Sequence, residues 1–430
     1  MMSRGERWMG AGLVATALLA TGGCAGSPAA AGSGGATGDV TSAGSAGDGM
    51  TGGAAGAVGR GGAPGATGGA AGVAEGVGGA GGVAVGCQAG TADGEAAAAG
   101  LPDNIVFFSS VVVTTLTGGP NAGAEDGAPA VATFDNPVGV TIEPTGALVV
   151  STFDDSKLRR ISTDGVTSTL TDQASFIRPY GIGALGGMLY VETDADPGSG
   201  AHGPKNGTMW RVDPSTGAAT VVKANTGKPR SFAPLSDGRL VVSDASNARV
   251  WILDPATGEA ADLAGRAGCP GSAEGIGTEA RFVFPSGIVV LGGDRIIVAD
   301  RGAHVLREVT VTGVVTTFAG DGGAGAIDGP MRSARFMGPR GLTSDASGAV
   351  YVSDDVDHRI RRIDADGIVT TLAGTGTAGF ADGPGNLAQF YGQEGIAVTA
   401  DGRTVYVADG TGGSETPVPY QRIRQITIAP

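Results

Sequence analysis

Short runs of apolar residues recur along the chain after Leu101. Each run is three or four residues long and is bounded by Gly on one side and by an acidic or Thr turn on the other. β-Branched and aliphatic residues dominate these runs. No segment after Leu101 keeps a helical spacing long enough to compete, so the pattern predicts short β-strands. Four such runs make one unit, and there are six units. The run that follows the turn Gly begins, unit by unit, at Leu148, Leu189, Leu240, Ile296, Val350 and Val405.

The units also share a period close to fifty residues. Each opens with an anchor residue, and the last two anchors, Pro339 and Gln393, are 54 residues apart. Repeats of this length that contain only strands and turns are typical of a β-propeller, in which each repeat forms one blade. We therefore predict an all-β fold with six four-stranded blades. The anchors are Pro137, Pro179, Pro229, Pro285, Pro339 and Gln393.

The first and last segments of the repeat region complement one another. The sixth unit stops at Pro430 after its third strand, and its fourth strand is missing there. The segment from Val111 to Phe134 has the register of a fourth strand and its exit, as seen from Val314 to Phe336. We therefore expect the N-terminal strand to complete the last blade, which closes the ring and removes exposed sheet edges.

The region before the repeats has a different composition. Of the 76 residues from 25 to 100, 27 are Gly, and most of the others are Ala, Ser or Thr. The segment has very few large apolar side chains to bury, and their burial cannot offset the conformational entropy that is lost on ordering the chain. Residues 24–100 are therefore predicted to be a disordered linker. Residues 101–430 then form the propeller. Their net charge of −11 disfavours nucleic acid and an anionic membrane surface as partners.

The N-terminus resembles a bacterial lipoprotein signal. Arg4 and Arg7 precede an apolar stretch, Trp8 to Ala20, that is too short to span a bilayer, and small residues then lead to Cys24. The resemblance implies that residues 1–23 are a signal peptide and that Cys24 is lipidated. It also implies an exported protein of the bacterial cell envelope, anchored by lipid in the outer membrane, because the residues after Cys24 are not acidic. An ordinary secretory signal with an incidental Cys is the alternative.

Two further cysteines remain, Cys87 at the end of the linker and Cys269 between the third and fourth blades. An even pair in an exported protein is compatible with a disulfide, which would fasten the linker to the ring. Two free thiols are the alternative.

The repeats themselves resemble the NHL repeat. The segment from Gly338 to Gly374 carries the whole pattern: Pro-x-Gly, a turn Gly, a strand ending in Asp, His-Arg-Ile-Arg-x-Ile, Asp-Gly and a Thr-Thr-Leu-Ala-Gly exit. The resemblance covers about residues 104–430 and implies a propeller fold. Propellers of this type host binding, scaffolding and occasionally catalytic roles, so the fold alone does not give the function.

Two sets of acidic residues recur at matched positions. The first stands at second-strand ends and would form a ring able to bind Ca²⁺ or a cationic ligand, or would instead satisfy local backbone donors. The second set precedes a Phe by eight residues and is either a repeated ligand site or, as we expect, a turn whose Phe packs between blades. The first set is Asp244, Asp300, Asp354 and Asp409; the second is Asp126, Glu274, Asp328 and Asp382.

Other chemistry is sparse. A zinc-dependent lyase would need several converging His, and the chain has only His202, His304 and His358. No nucleophile elbow or phosphate loop is present. A column in the third strands alternates cations and aromatics, and we expect it to pack between blades. The column is Arg159, Trp210, Trp251, Arg307, Arg361 and Arg424.

These observations favour a monomeric, lipid-anchored binding or scaffold module, without an enzymatic role or a cofactor, whose partner is a protein, a peptide or a glycan. We expect contact on the face that carries the longest insertions, Asp194 to Gly207 and Gly410 to Pro419. The alternative is a metal-assisted enzyme, similar to a lactonase or lyase, with its site in the propeller channel.

Overall fold

Six antiparallel sheets arranged around an axis make up the molecule in a computed structural model that describes residues 104–411 and 421–430. The prediction of six four-stranded blades is confirmed. The predicted signal peptide, Cys24, the linker and Cys87 lie outside the described residues, and these predictions are not tested by the structure. The helical segments described are two single 3-10 turns, Gly277–Glu279 and Arg301–Ala303, and neither has the length or apolarity to cross a membrane.

Each anchor begins an innermost strand, and blades 1 to 5 run from the axis outward in chain order. Blade 1 contains Pro137–Ile142, Leu148–Thr152, Lys157–Ile161 and Thr167–Thr171, and blade 2 contains Pro179–Leu185, Met188–Thr193, Thr208–Val212 and Ala219–Ala224. Blade 3 contains Pro229–Pro234, Leu240–Asp244, Arg249–Leu253 and Ala260–Gly265, and blade 4 contains Pro285–Leu291, Arg295–Asp300, Val305–Val309 and Val314–Ala319. Blade 5 contains Pro339–Ser344, Val350–Asp354, Arg359–Ile363 and Ile368–Ala373, and blade 6 contains Gln393–Val398, Thr404–Asp409, Gln421–Ile428 and Val111–Gly119.

The N-terminal strand closes the ring as expected. Val111–Gly119 pairs antiparallel with Gln421–Ile428, from Val111 opposite Ile428 to Gly119 opposite Gln421. The last blade therefore combines the two ends of the repeat region in one sheet, and its outer edge is covered by the short strand Gly383–Pro384.

The acidic-Gly steps run along the outer edges of the blades that follow them. Gly275–Ile276, Gly329–Pro330 and Gly383–Pro384 each add a fifth strand to the next blade. The acid beside each step accepts a hydrogen bond from a backbone N–H of that blade's fourth strand. These bonds are Asp126 from Thr169 at 2.8 Å, Glu274 from Thr317 at 2.7 Å, Asp328 from Thr371 at 3.0 Å and Asp382 from Thr115 at 2.9 Å.

The apolar core is divided among the six seams between neighbouring blades. At four seams a buried arginine of a third strand lies over a fully buried phenylalanine, which confirms the expected inter-blade packing. The pairs are Arg159 over Phe134 (5.3 Å from guanidinium carbon to ring centroid), Arg307 over Phe282 (6.0 Å), Arg361 over Phe336 (5.3 Å) and Arg424 over Phe390 (5.1 Å).

Candidate functional site

The six innermost strands surround a central channel of about 310 Å³. At one end of this channel stands the residue that follows each anchor, and we call these six positions the inner ring. Three residues after each anchor the lining is entirely apolar, so the channel is polar at one end and hydrophobic farther in. The inner ring is Val138, Tyr180, Arg230, Ser286, Arg340 and Glu394; the apolar layer is Val140, Ile182, Phe232, Ile288, Leu342 and Ile396.

A second set of side chains stands at the same end. In every blade the start of the first strand pairs with the end of the second, as Pro339 does with Asp354. The residue after each second strand therefore lies near the inner ring, and we call these six positions the outer ring. We call the end of the channel that both rings surround the mouth. The outer ring is Phe153, Asp194, Ala245, Arg301, Asp355 and Gly410.

Three arginines and three carboxylates of the two rings are paired with one another. Asp194 binds both terminal nitrogens of Arg230, at 3.1 and 3.3 Å. Arg340 lies 2.8 Å from Asp355 and 2.8 Å from Glu394, and Arg301 donates to Asp355 at 3.1 Å. The formal charges of these six groups cancel, and four of the six are buried; Lys228 is a further cation, 3.8 Å from Asp194.

Tyr180 joins opposite sides of the mouth. Its hydroxyl donates to Glu394 of blade 6 and accepts from Arg340 of blade 5, whose Nη2 is 2.6 Å away. Its ring lies 4.2 Å below the guanidinium of Arg230, with the edge of Phe153 on another side at 6.0 Å. Burial raises the pKa of the Tyr180 hydroxyl, which therefore keeps its proton and remains a donor.

The predicted ring of second-strand acids lies just behind this mouth and is buried. Asp300 accepts hydrogen bonds from the backbone N–H groups of Val283 and Phe284, and the other three acids hold the matching segments of their blades. Burial raises the pKa of Asp300 to about 6 and that of Asp354 to about 7. These contacts favour the structural interpretation of Asp244, Asp300, Asp354 and Asp409. Ligand binding there remains a prediction.

The histidines lie apart. His202 hydrogen bonds the Gly200 carbonyl oxygen at 3.1 Å, and His358 bonds that of Tyr391 at 2.9 Å. Within residues 104–411 and 421–430, no three His, Cys, Asp or Glu residues are grouped in a way that would hold a metal ion. Cys269 is buried and disulfide-bonded, and its partner lies outside the described residues. The pairing with Cys87 therefore remains a prediction.

The sequence analysis identifies only two residues of the mouth, Asp194 and Gly410, as the first residues of the predicted contact insertions, and it identifies none of the inner ring. The information was present, because the anchors were aligned and the next position reads Val, Tyr, Arg, Ser, Arg and Glu across the six blades. A position that varies in chemistry among otherwise repetitive units differs from the nearly constant Gly that follows it. The predicted contact insertion Asp194 to Gly207 begins in the outer ring, and residues 412–420 of the second insertion lie outside the described range.

No protein-family model matches this chain. The chain is 34% identical over 99 residues to NHL repeat-containing protein 2 of Gallus gallus. The matched segment makes up 23% of this chain and 14% of that protein. It is 38% identical over 86 residues to the protein SUPPRESSOR OF QUENCHING 1, chloroplastic, of Arabidopsis thaliana. This matched segment makes up 20% of this chain and 8% of that protein. The chain thus spans less than a sixth of the length of these relatives.

Among solved structures, 74% of this chain superposes on 76% of an auxiliary nutrient binding protein from Bacteroides thetaiotaomicron, with a TM-score of 0.58 and 18% identity. An auxiliary nutrient binding protein from Bacteroides ovatus gives the same coverage and TM-score with 19% identity. At this identity the likeness shows the fold. The described chain is a six-bladed β-propeller, and part of its repeat region is similar to NHL repeat-containing proteins.

Proposed function

We propose that this protein is an exported binding propeller of the bacterial cell envelope, anchored through Cys24, which takes a protein, peptide or glycan at the mouth of its channel. The observation that carries the proposal is the paired set of arginines and carboxylates at the mouth. Arg301 keeps 32% of its side chain exposed and Arg340 keeps 14%, and their carboxylate partners hold both guanidinium groups in place.

The pairing of arginines with carboxylates at the mouth also narrows the chemical class of the ligand. A charged ligand would have to displace an existing partner, whereas an uncharged polar group can accept from Arg340 and donate to Asp355 without breaking their ion pair. Phe153 and Phe284 add partly exposed aromatic surface around the opening. Amide and hydroxyl groups, which are the polar groups of peptides and glycans, therefore suit the mouth better than a free carboxylate or an amine.

The fold supports the same role. The two Bacteroides proteins with this architecture are described as auxiliary nutrient binding proteins, so the propeller is compatible with ligand capture. The lipoprotein-type N-terminus supports an envelope location, and the Gly-rich composition of residues 24–100 is compatible with a tether.

The test compares the wild type with Arg340→Lys and with Leu387→Ala. Lys keeps a cation beside Asp355 and Glu394 but lacks the planar fork of donors. Leu387 is 61% exposed on the outer rim and serves as the matched control. Each protein is applied to a glycan array, to a peptide array and to an envelope extract, and bound species are quantified.

We expect the ligand of the wild type to be lost, or weakened at least tenfold, with Arg340→Lys and to be retained with Leu387→Ala. A ligand that binds all three proteins equally would contradict the mouth as the binding site. Stoichiometric metal with hydrolytic activity in the purified protein would instead favour the enzymatic alternative.

A further inference from the structure

At three seams, a serine hydroxyl of a second strand bridges the innermost strands of neighbouring blades. In blade 1, Ser151 Oγ accepts from the Gly139 N–H at 3.0 Å and donates to the carbonyl oxygen of Tyr180 in blade 2 at 2.5 Å. Blades 3 and 5 repeat this arrangement. There Ser243 bridges Ser231 and Ser286, and Ser353 bridges Gly341 and Glu394.

Blade 2 has Glu192 at the same register position, one residue before the end of its second strand. Glu192 Oε2 lies 2.5 Å from the point where a side-chain carbon on Gly181 would stand, and the Arg230 carbonyl oxygen lies 3.1 Å from that point. At Gly139 the corresponding point is bounded by Ser151 Oγ and by the carbonyl oxygen of the next blade. An oxygen of the Glu192 carboxyl group therefore lies as close to this point as the bridging hydroxyl of Ser151 lies to the corresponding point in blade 1.

The position of the Glu192 carboxyl group beside the Arg230 carbonyl oxygen requires a hydrogen-bond donor. Glu192 is fully buried, and neither of its oxygens has a hydrogen-bond partner among the described residues. A carboxylate only accepts, so an ionised Glu192 would face the Arg230 carbonyl as a second acceptor in a buried seam. A protonated Glu192 has an O–H group and can donate to that carbonyl as serine does elsewhere.

The surrounding charges agree with a neutral acid. Arg230 is the nearby cation, and it is already held by both oxygens of Asp194. Asp194 and Asp244 are the nearby anions, and both oppose a further negative charge. Burial raises the pKa of Glu192 well above its ordinary value; Arg230 lowers it, and the two aspartates raise it further.

We propose that Glu192 is a protonated acid that donates a hydrogen bond to the Arg230 carbonyl across the seam between blades 2 and 3, and so positions Arg230 at the mouth. The inference rests on the proposed binding role only in its consequence for ligand capture. Glu192 fixes the backbone of Arg230, while Asp194 and Tyr180 hold its guanidinium. Loss of the proton to solvent leaves a carboxylate against a carbonyl, and the seam beside the mouth weakens.

Glu192→Gln is the decisive variant, because the amide N–H₂ can donate to the same carbonyl and does not ionise. Glu259→Gln, at an exposed glutamate, is the matched control. The folding equilibrium constant of each protein is measured by urea unfolding between pH 5 and pH 8. The unfolded chain ionises Glu192 near its ordinary pKa of 4.5, whereas the folded chain does so only at higher pH.

Because the folded-state pKa is raised, the stability that Glu192 contributes is greatest at low pH and falls as pH rises. We expect the folding constant of the wild type, relative to Glu192→Gln, to fall by up to about tenfold per pH unit while Glu192 stays protonated in the folded state. Glu259→Gln should follow the wild type. Parallel pH profiles for the wild type and Glu192→Gln would overturn the proposal.

Infrared spectroscopy gives an independent measurement. At pH 7 the folded wild type should show the C=O stretch of a protonated carboxylic acid, and the difference spectrum against Glu192→Gln should contain it. A carboxylate band in its place would overturn the proposal even if the variant folded poorly. Neither measurement uses a ligand, so failure here would leave the mouth as a binding site, which Arg340→Lys tests separately.

Discussion

Val113→Ala tests whether the N-terminal strand holds the ring closed. Val113 is fully buried in the cluster between blades 5 and 6, together with Phe390 and Ile426. The substitution removes two methyl groups, worth about 0.8 kcal/mol each in transfer from water, and leaves a cavity in addition. We expect the free energy of unfolding to fall by about 2–3 kcal/mol.

Val112→Ala is the matched control, since Val112 is the adjacent residue of the same strand and is 48% exposed. Its cost should stay within about 0.5 kcal/mol. Urea unfolding is followed through the fluorescence of Trp210 and Trp251, which lie in blades 2 and 3 on another part of the ring. A shift of their transition by Val113→Ala shows that weakening blade 6 destabilises the whole ring.

Two results would refute this reasoning. If both valine substitutions shifted the transition equally, burial of the strand would not explain its contribution. If the tryptophan transition did not move for Val113→Ala, the ring would unfold independently of its closing strand.

Two further predictions concern a buried acid and the cysteines. The folded-state pKa of Asp300, about 6, lies above its ordinary 3.8, so its contribution to stability is lost as pH rises from about 4 to about 6. Asp300→Asn should flatten the stability profile over that window in urea unfolding; an unchanged slope would contradict the assignment. Proteolysis without reductant should release a peptide that joins Cys87 to Cys269, and reduction should lower stability by about 2–4 kcal/mol. A free thiol at Cys87 would exclude that pairing.

The architecture was predictable because each repeat places the same residue types at the same positions, and these form the same strands and turns in every blade. Each anchor begins an innermost strand, and the segment from Val111 fitted the register of the missing fourth strand, so six blades and their closure followed from the spacing. The packing of Phe336 and of Arg361 between blades was also expected, since each recurs at a fixed distance in the unit, but their contact with one another was not predicted.

The site was less accessible to the same reasoning. Repeats draw attention to what is constant, and the mouth consists of positions that differ from blade to blade, such as Val138 and Arg340. Contacts across the channel, such as that between Tyr180 and Glu394, join residues more than 200 positions apart. The sequence did not single out Glu192, because its proposed role becomes apparent only when the seam beside it is compared with the seams that contain a bridging serine hydroxyl.

The direction of the closing strands has a practical consequence. Arg422 pairs with Asp409, next to the outer ring, whereas Val111 and Ile428 pair at the other end of the same sheet. The backbone of Ala429 bonds Ser110, so the carboxyl-terminal residues lie on the back of the ring. A tag joined at Pro430 would attach the protein to a sensor through the face of the ring opposite the mouth, so the mouth would face the solution.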